Sequence, residues 1–182
     1  MKKILFLLLA LMLVSTSCSN MQKPSKRESV WSESADTISI QEVILSGDKV
    51  MVPFKRTESG LAEVQVSLNG VPFNMWWDTG ASLTSISLLD LQNLIKQGKI
   101  SVDDKIGSAI VSLADGSSSE EVVVNLKEIY IPGQDNKYLV LKDIAALVSK
   151  NIEAPLLIGQ NVITNLPKHS FNESNGVIEF DK

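Results

Sequence analysis

Asp78 is the residue best placed to do chemistry. It ends an apolar run, Val71-Pro72-Phe73-Asn74-Met75-Trp76-Trp77, and is followed by Thr79-Gly80-Ala81-Ser82. A carboxylate at the inner end of a buried strand is costly unless something pairs with it or uses it. Thr79 adds a hydroxyl that can both donate and accept. Gly80 adds a backbone position that can bend sharply and admit another chain closely. This arrangement suits an acid that exchanges protons with a ligand whose backbone can reach it. A plainer alternative is that Asp78 only caps a turn at the strand end.

Rival chemistries find little support. His169 is the only histidine, and its neighbour Ser170 would face the other way in a strand, so His169 is expected to be an ordinary surface residue. One histidine and one cysteine cannot make a zinc site of the usual kind, and no glycine-rich phosphate loop is present. The net charge is 17 − 21 = −4 with no basic patch, which argues against nucleic acid.

The elements that must position Asp78 are mostly strands. Ala62 to Leu68 alternates apolar and polar residues, Asn69-Gly70 supplies a two-residue turn, and Val71 to Trp77 returns. The returning strand is apolar on both faces and is expected to lie deep. Strands are also expected over Thr37–Leu45, Val50–Arg56, Ala109–Leu113 and Glu121–Ile131. Further strands are expected over Tyr138–Leu141, Ile144–Val148 and near the end, where Asn175-Gly176 turns into Val177–Phe180. Leu88, Leu89, Leu91, Leu94 and Ile95 recur at helical spacing, with Ser87 as N-cap, Gly98 as stop and Asp90 as solvated surface.

The stretch Asp78-Thr79-Gly80-Ala81-Ser82 resembles the active-site motif of the retroviral-type (retropepsin-like) aspartic proteases. The later stretch Leu156-Leu157-Ile158-Gly159-Gln160-Asn161 fits that family's aliphatic strand ending at a glycine before a short helix. The resemblance covers about Val50 to Phe180. It implies a mostly β domain, a single-lobe acid-protease closed β-barrel with one or two short helices. It also implies peptide-bond hydrolysis by two aspartates without a cofactor. Asp78 would be catalytic, with Thr79 bonding across the pair and Gly80 offering backbone to a peptide or protein substrate. The hairpin tip Ala114-Asp115-Gly116 would be the flap that covers it, though any β-hairpin has such a tip. The chain holds one Asp-Thr-Gly only, so two copies of Asp78 require a homodimer. Trp76-Trp77 are expected as core and dimer-adjacent packing. Two positions depart from the family pattern: Ser82 and Gln160 stand where retroviral enzymes usually carry an acid and an arginine. The departure keeps open a second reading, a binding or assembly module that retains the fold without turnover, and a third, an unrelated β-rich lipoprotein.

Ahead of the domain, Lys2 and Lys3 precede an apolar run, Ile4 to Val14, then Ser15-Thr16-Ser17 and Cys18, the only cysteine. This pattern looks like a bacterial lipoprotein signal, residues 1–17, with Cys18 as the lipidated residue; an ordinary cleavable signal is the alternative. Residues 18–36 are polar and are expected to tether a domain spanning 37–182 to a membrane of the cell envelope, outside the cytoplasm. Loss of Lys2 and Lys3 with the signal would leave 15 − 21 = −6.

Overall fold

The computed structural model describes residues 42–112, 116 and 118–182. Cys18, the signal and tether segments, the expected strand residues 37–41, and Ala114 and Asp115 lie outside the described residues. Among those described there are eleven strands and two short helices, so the protein is mostly β.

The strands run in chain order as β1 (Glu42–Leu45), β2 (Lys49–Arg56), β3 (Ala62–Leu68), β4 (Val71–Trp77) and β5 (Thr84–Ser87). Helix α1 (Leu88–Lys96) follows, then β6 (Lys105–Ser112), β7 (Ser118–Pro132), β8 (Tyr138–Ser149) and β9 (Leu157–Ile158). The one-turn helix α2 (Gln160–Ile163), β10 (His169–Asn172) and β11 (Val177–Asp181) complete the chain. The expected strands at Tyr138–Leu141 and Ile144–Val148 are one strand, β8, in which Asp143 takes a positive φ of 57° and drops out of the pairing with β7, while the register on either side is unchanged.

The β3–β4 turn forms where Asn69-Gly70 predicts it. Leu68 pairs with Val71, and the two turn residues have φ of 48° and 87°, the left-handed pair that a tight hairpin demands and that asparagine and glycine tolerate best. The sheet order is β10-β11-β2-β3-β4-β9-β5-β8-β7-β6, with β3 also pairing β7 through Ser67–Tyr130 and Leu68–Ile129. The pairings β3–β4–β9–β5–β8–β7 therefore return to β3 and close a circuit. Val64, Val66, Leu68, Met75, Leu126, Ile129, Leu139, Leu141, Ile144 and Ile158 fill its core.

β4 is not buried on both faces. Val71, Met75 and Trp77 are buried, whereas Pro72 and Asn74 are exposed and Trp76 is half-buried. The outward face carries a polar cluster in which Glu63 accepts from the Trp76 indole N–H at 3.3 Å and from Asn74 at 3.5 Å. A tryptophan with its N–H satisfied can sit at a half-wet face, so an apolar run alone does not specify burial on both sides.

Helix α1 starts as predicted at Ser87, whose hydroxyl accepts from the Asp90 backbone N–H at 3.1 Å. Asp90 is more than solvated surface. Its carboxylate accepts from the Ser87 backbone N–H at 3.2 Å, completing a reciprocal cap.

Candidate active site

β4 ends at Trp77 and delivers Asp78 to the mouth of a loop. The strand is held in place by β9 alongside it: Trp76 N–H donates to Leu156 C=O at 2.8 Å and Asp78 N–H to Ile158 C=O at 3.0 Å. Beneath the loop Trp77 anchors the strand, 5% exposed, in edge contacts with the rings of His169 at 5.3 Å and Phe171 at 6.0 Å. His169 is therefore not an ordinary surface residue. It is half-buried between Trp77 and Phe180, and its Nδ1 lies 2.9 Å from Pro167 C=O.

Asp78 is half-buried, while Thr79 and Gly80 are exposed. The carboxylate is oriented from within the loop: Gly80 N–H donates to Asp78 Oδ1 at 2.8 Å. A Cβ at Gly80 would stand 3.2 Å from that same oxygen, so a side chain there would crowd the carboxylate. Among the described residues, no lysine or arginine forms an ion pair with Asp78.

The loop is pinned from the far side by α2. Gln160 Nε2 donates to Thr79 C=O at 2.8 Å, Gln160 N–H to Ala81 C=O at 2.8 Å, and Asn161 N–H to Ser82 C=O at 3.1 Å. The neutral Gln160 thus serves the loop of its own chain. Gly159 lets the two segments approach. A Cβ there would lie 2.3 Å from Leu83 C, 2.5 Å from Leu83 O and 2.7 Å from Thr84 N, all backbone atoms that cannot step aside. Its φ of −94° is open to any residue, so lack of space is what requires glycine.

Two further residues hold the site together and were not assigned a role from sequence: Thr84 and Asn161, 77 positions apart. Asn161 Oδ1 accepts from Thr84 N–H at 2.7 Å and from its hydroxyl at 3.0 Å, and Asn161 Nδ2 donates to Ala145 C=O at 2.8 Å. Thr84 Oγ1 accepts in turn from Gly159 N–H at 3.2 Å. This hub ties β5, β8 and α2 into one unit behind Asp78. Neither stands out in the sequence: Thr84 lies among Ser82, Ser85 and Ser87, and Asn161 directly follows Gln160.

The expected flap is a hairpin of β6 and β7, paired from Lys105–Val124 to Ser112–Ser118, with Gly116 near its tip at a φ of 84°. Its root rests on the segment leaving the Asp78 loop. Leu83, Ile106, Ala109 and Val111 pack on a small cluster of Val123, Ala145 and Leu147, separate from the main core. Among the described residues, no group of three or more His, Cys, Asp or Glu side chains could hold a metal ion.

A protein-family model described as "gag-polyprotein putative aspartyl protease" matches residues 64–165. The chain belongs to this family. The match runs from within β3 to just past α2, so it takes in Asp78, the hairpin and the Gly159 segment of the aspartyl protease domain. No curated protein matches the chain. Among solved structures, the protein is similar to a retropepsin-like aspartic protease from Rickettsia conorii. The two share 14% identity over 76% of this chain and 91% of that one, with a TM-score of 0.47.

Proposed function

We propose that the protein is an aspartic endopeptidase whose site is completed by a second copy of the chain, so that two Asp78 carboxylates face each other. The observation that carries this reading is the Asp78 loop. A half-buried carboxylate has one oxygen fixed by Gly80 N–H, in a loop pinned by Gln160, in a chain of the aspartyl protease family. Two carboxylates at close range cannot both ionise, so the pair holds one proton. The ionised member takes a proton from a water molecule, which attacks the scissile carbonyl; the protonated member donates to the carbonyl oxygen. The proton then passes to the leaving amine as the tetrahedral intermediate collapses. Thr79, exposed beside Asp78, bonds across the pair, and Gly80 offers its carbonyl to the substrate backbone. The hairpin tip around Ala114, Asp115 and Gly116 covers the bound peptide and excludes water. No cofactor enters this chemistry.

The leader sequence supports a location to match. Lipidation at Cys18, after removal of residues 1–17, would place the protease outside the cytoplasm on a polar tether. Globomycin-sensitive processing together with palmitate labelling lost in Cys18→Ala tests this assignment.

The function is tested by Asp78→Asn. This variant keeps the size of the side chain, yet the pair can no longer cycle its proton. Cleavage of a peptide library at mildly acidic pH should vanish while circular dichroism stays unchanged. Residual cleavage equal to wild type would remove the reading. A wild-type dimer that never cleaves would favour a binding module, a reading that the neutral Ser82 and Gln160 keep in play.

A further inference from the structure

We propose that Glu121 selects the substrate: its carboxylate receives the basic head of a lysine or arginine side chain from the peptide that the hairpin of β6 and β7 covers. The inference rests on the peptidase reading above and names the kind of peptide that site would take.

Position comes first. Glu121 pairs with Ala109 across the hairpin, and directly paired residues project from the same face of a ladder. Alternation puts Val111 and Val123 on that face as well. It is the face that packs against Leu83, on the segment leaving the Asp78 loop. Ser108, Ile110 and Glu120 occupy the opposite face and are exposed. Glu120 has an ordinary surface setting there, accepting from the Ser108 hydroxyl at 2.6 Å.

The setting of Glu121 is different. It is 9% exposed, and among the described residues only Asp104 is another buried acid. Asp104 is matched by the Ser101 backbone N–H and by Lys127. Glu121 receives no hydrogen bond and no ion pair from the described residues. The one fully buried side-chain acceptor without a partner among them is Asn125 Oδ1, so the Glu121 oxygens keep contact with solvent. The stem of Glu121 is therefore buried while its carboxylate looks out through a small opening. A carboxylate walled by apolar groups is costly until a cation meets it. The hydrolytic chemistry of Asp78 makes no use of this group. Lysine and arginine fit it in two ways: the charged head meets the carboxylate, and the methylene stem lies along Leu83, Ala109 and Val111. A leucine in the same place would leave the carboxylate unmatched, and a glutamate would be repelled.

Cleavage and binding both test the proposal. Peptides that differ at a single position near the scissile bond, carrying lysine, leucine or glutamate there, are compared by kcat/KM, one position at a time. At one position the wild type should favour lysine over leucine at least tenfold, the value of a hydrogen bond to a charged group. Glu121→Gln keeps the shape without the charge and should bring that ratio to about one. Glu121→Lys should turn the preference toward glutamate. Cleavage without a basic preference, or a preference undiminished in Glu121→Gln, would overturn the role of Glu121 and leave the peptidase reading standing. Fluorescence anisotropy of the same labelled peptides needs no turnover, and is read on Asp78→Asn with and without Glu121→Gln. In a protein that cleaves nothing, a lysine preference that disappears with Glu121→Gln would support the subsite and remove the catalytic reading instead. Equal binding of the lysine and leucine peptides would overturn the subsite, and a chain that neither cleaves nor binds any of them would overturn both.

Discussion

Replacing Asn161 with alanine should unfold the site from behind, without touching any residue at its mouth. Three hydrogen bonds disappear together: from Thr84 N–H, from the Thr84 hydroxyl and to Ala145 C=O. Thr84 is fully buried and Ala145 nearly so, which leaves a backbone donor, a backbone acceptor and a hydroxyl without partners and out of reach of water. A buried polar group left unmatched costs about 1–3 kcal/mol, and the hydroxyl can reorient, so the sum is about 4 kcal/mol. That is a large share of the stability of a domain this size. With a urea slope near 2 kcal/mol/M, the unfolding midpoint should fall by about 2 M. Thr84→Val breaks the same hub from its other end. The double variant should be less destabilised than the two singles summed, by at least about 1 kcal/mol. A loss below 1 kcal/mol for Asn161→Ala, or strict additivity with Thr84→Val, would refute the claim that these residues act as one support.

Other outcomes follow from the same geometry. Gly159→Ala should lower soluble yield sharply and cost more than about 3 kcal/mol by denaturation, since its Cβ would meet Leu83 backbone at 2.3 Å; a stable, fully folded variant would contradict that close approach. Ser87→Ala should cost about 1 kcal/mol in thermal unfolding by breaking the reciprocal cap with Asp90, and an unchanged midpoint would count against the cap. Acid stability should depend on Asp104. The Ser101 backbone N–H at 2.8 Å, and then Lys127 at 3.1 Å, hold its carboxyl below its ordinary value of 3.8 against the opposing effect of burial. The unfolded chain then binds the proton more readily than the folded one, so this stabilisation is complete above 3.8 and is lost as pH falls through the lowered folded value. Asp104→Asn should flatten the stability curve in that window, and an identical acid limb would show that Asp104 does not contribute.

Elements governed by local chemistry were legible in the sequence. Asn69-Gly70 announced its turn because few other pairs accept two positive φ values, and Ser87 with apolar residues at helical spacing announced α1. Gly159 stood out through its family pattern, and the structure adds the reason, the backbone of Leu83. What sequence did not disclose depends on partners far along the chain. The Thr84–Asn161 hub joins positions separated by 77 residues, and neither looks unusual alone. β4 seemed buried on both faces because Trp76 is apolar by type, yet Glu63 from the neighbouring strand lets it stay half-exposed. His169 looked like a surface residue until β10 and β11 folded it over Trp77. Asp90 looked solvated because its work is done on backbone atoms three residues earlier.

The central claim is that one chain holds half of a catalytic pair, and mixing experiments address it most directly. Wild-type and Asp78→Asn chains are combined in equal amounts, allowed to exchange subunits, and assayed at the same total concentration as wild type alone. If each site needs an Asp78 from both chains, random pairing leaves about a quarter of the sites intact, so activity should fall to about 25%. Activity holding at one half, the value for simple dilution, would show that a single chain carries the chemistry and would contradict the account.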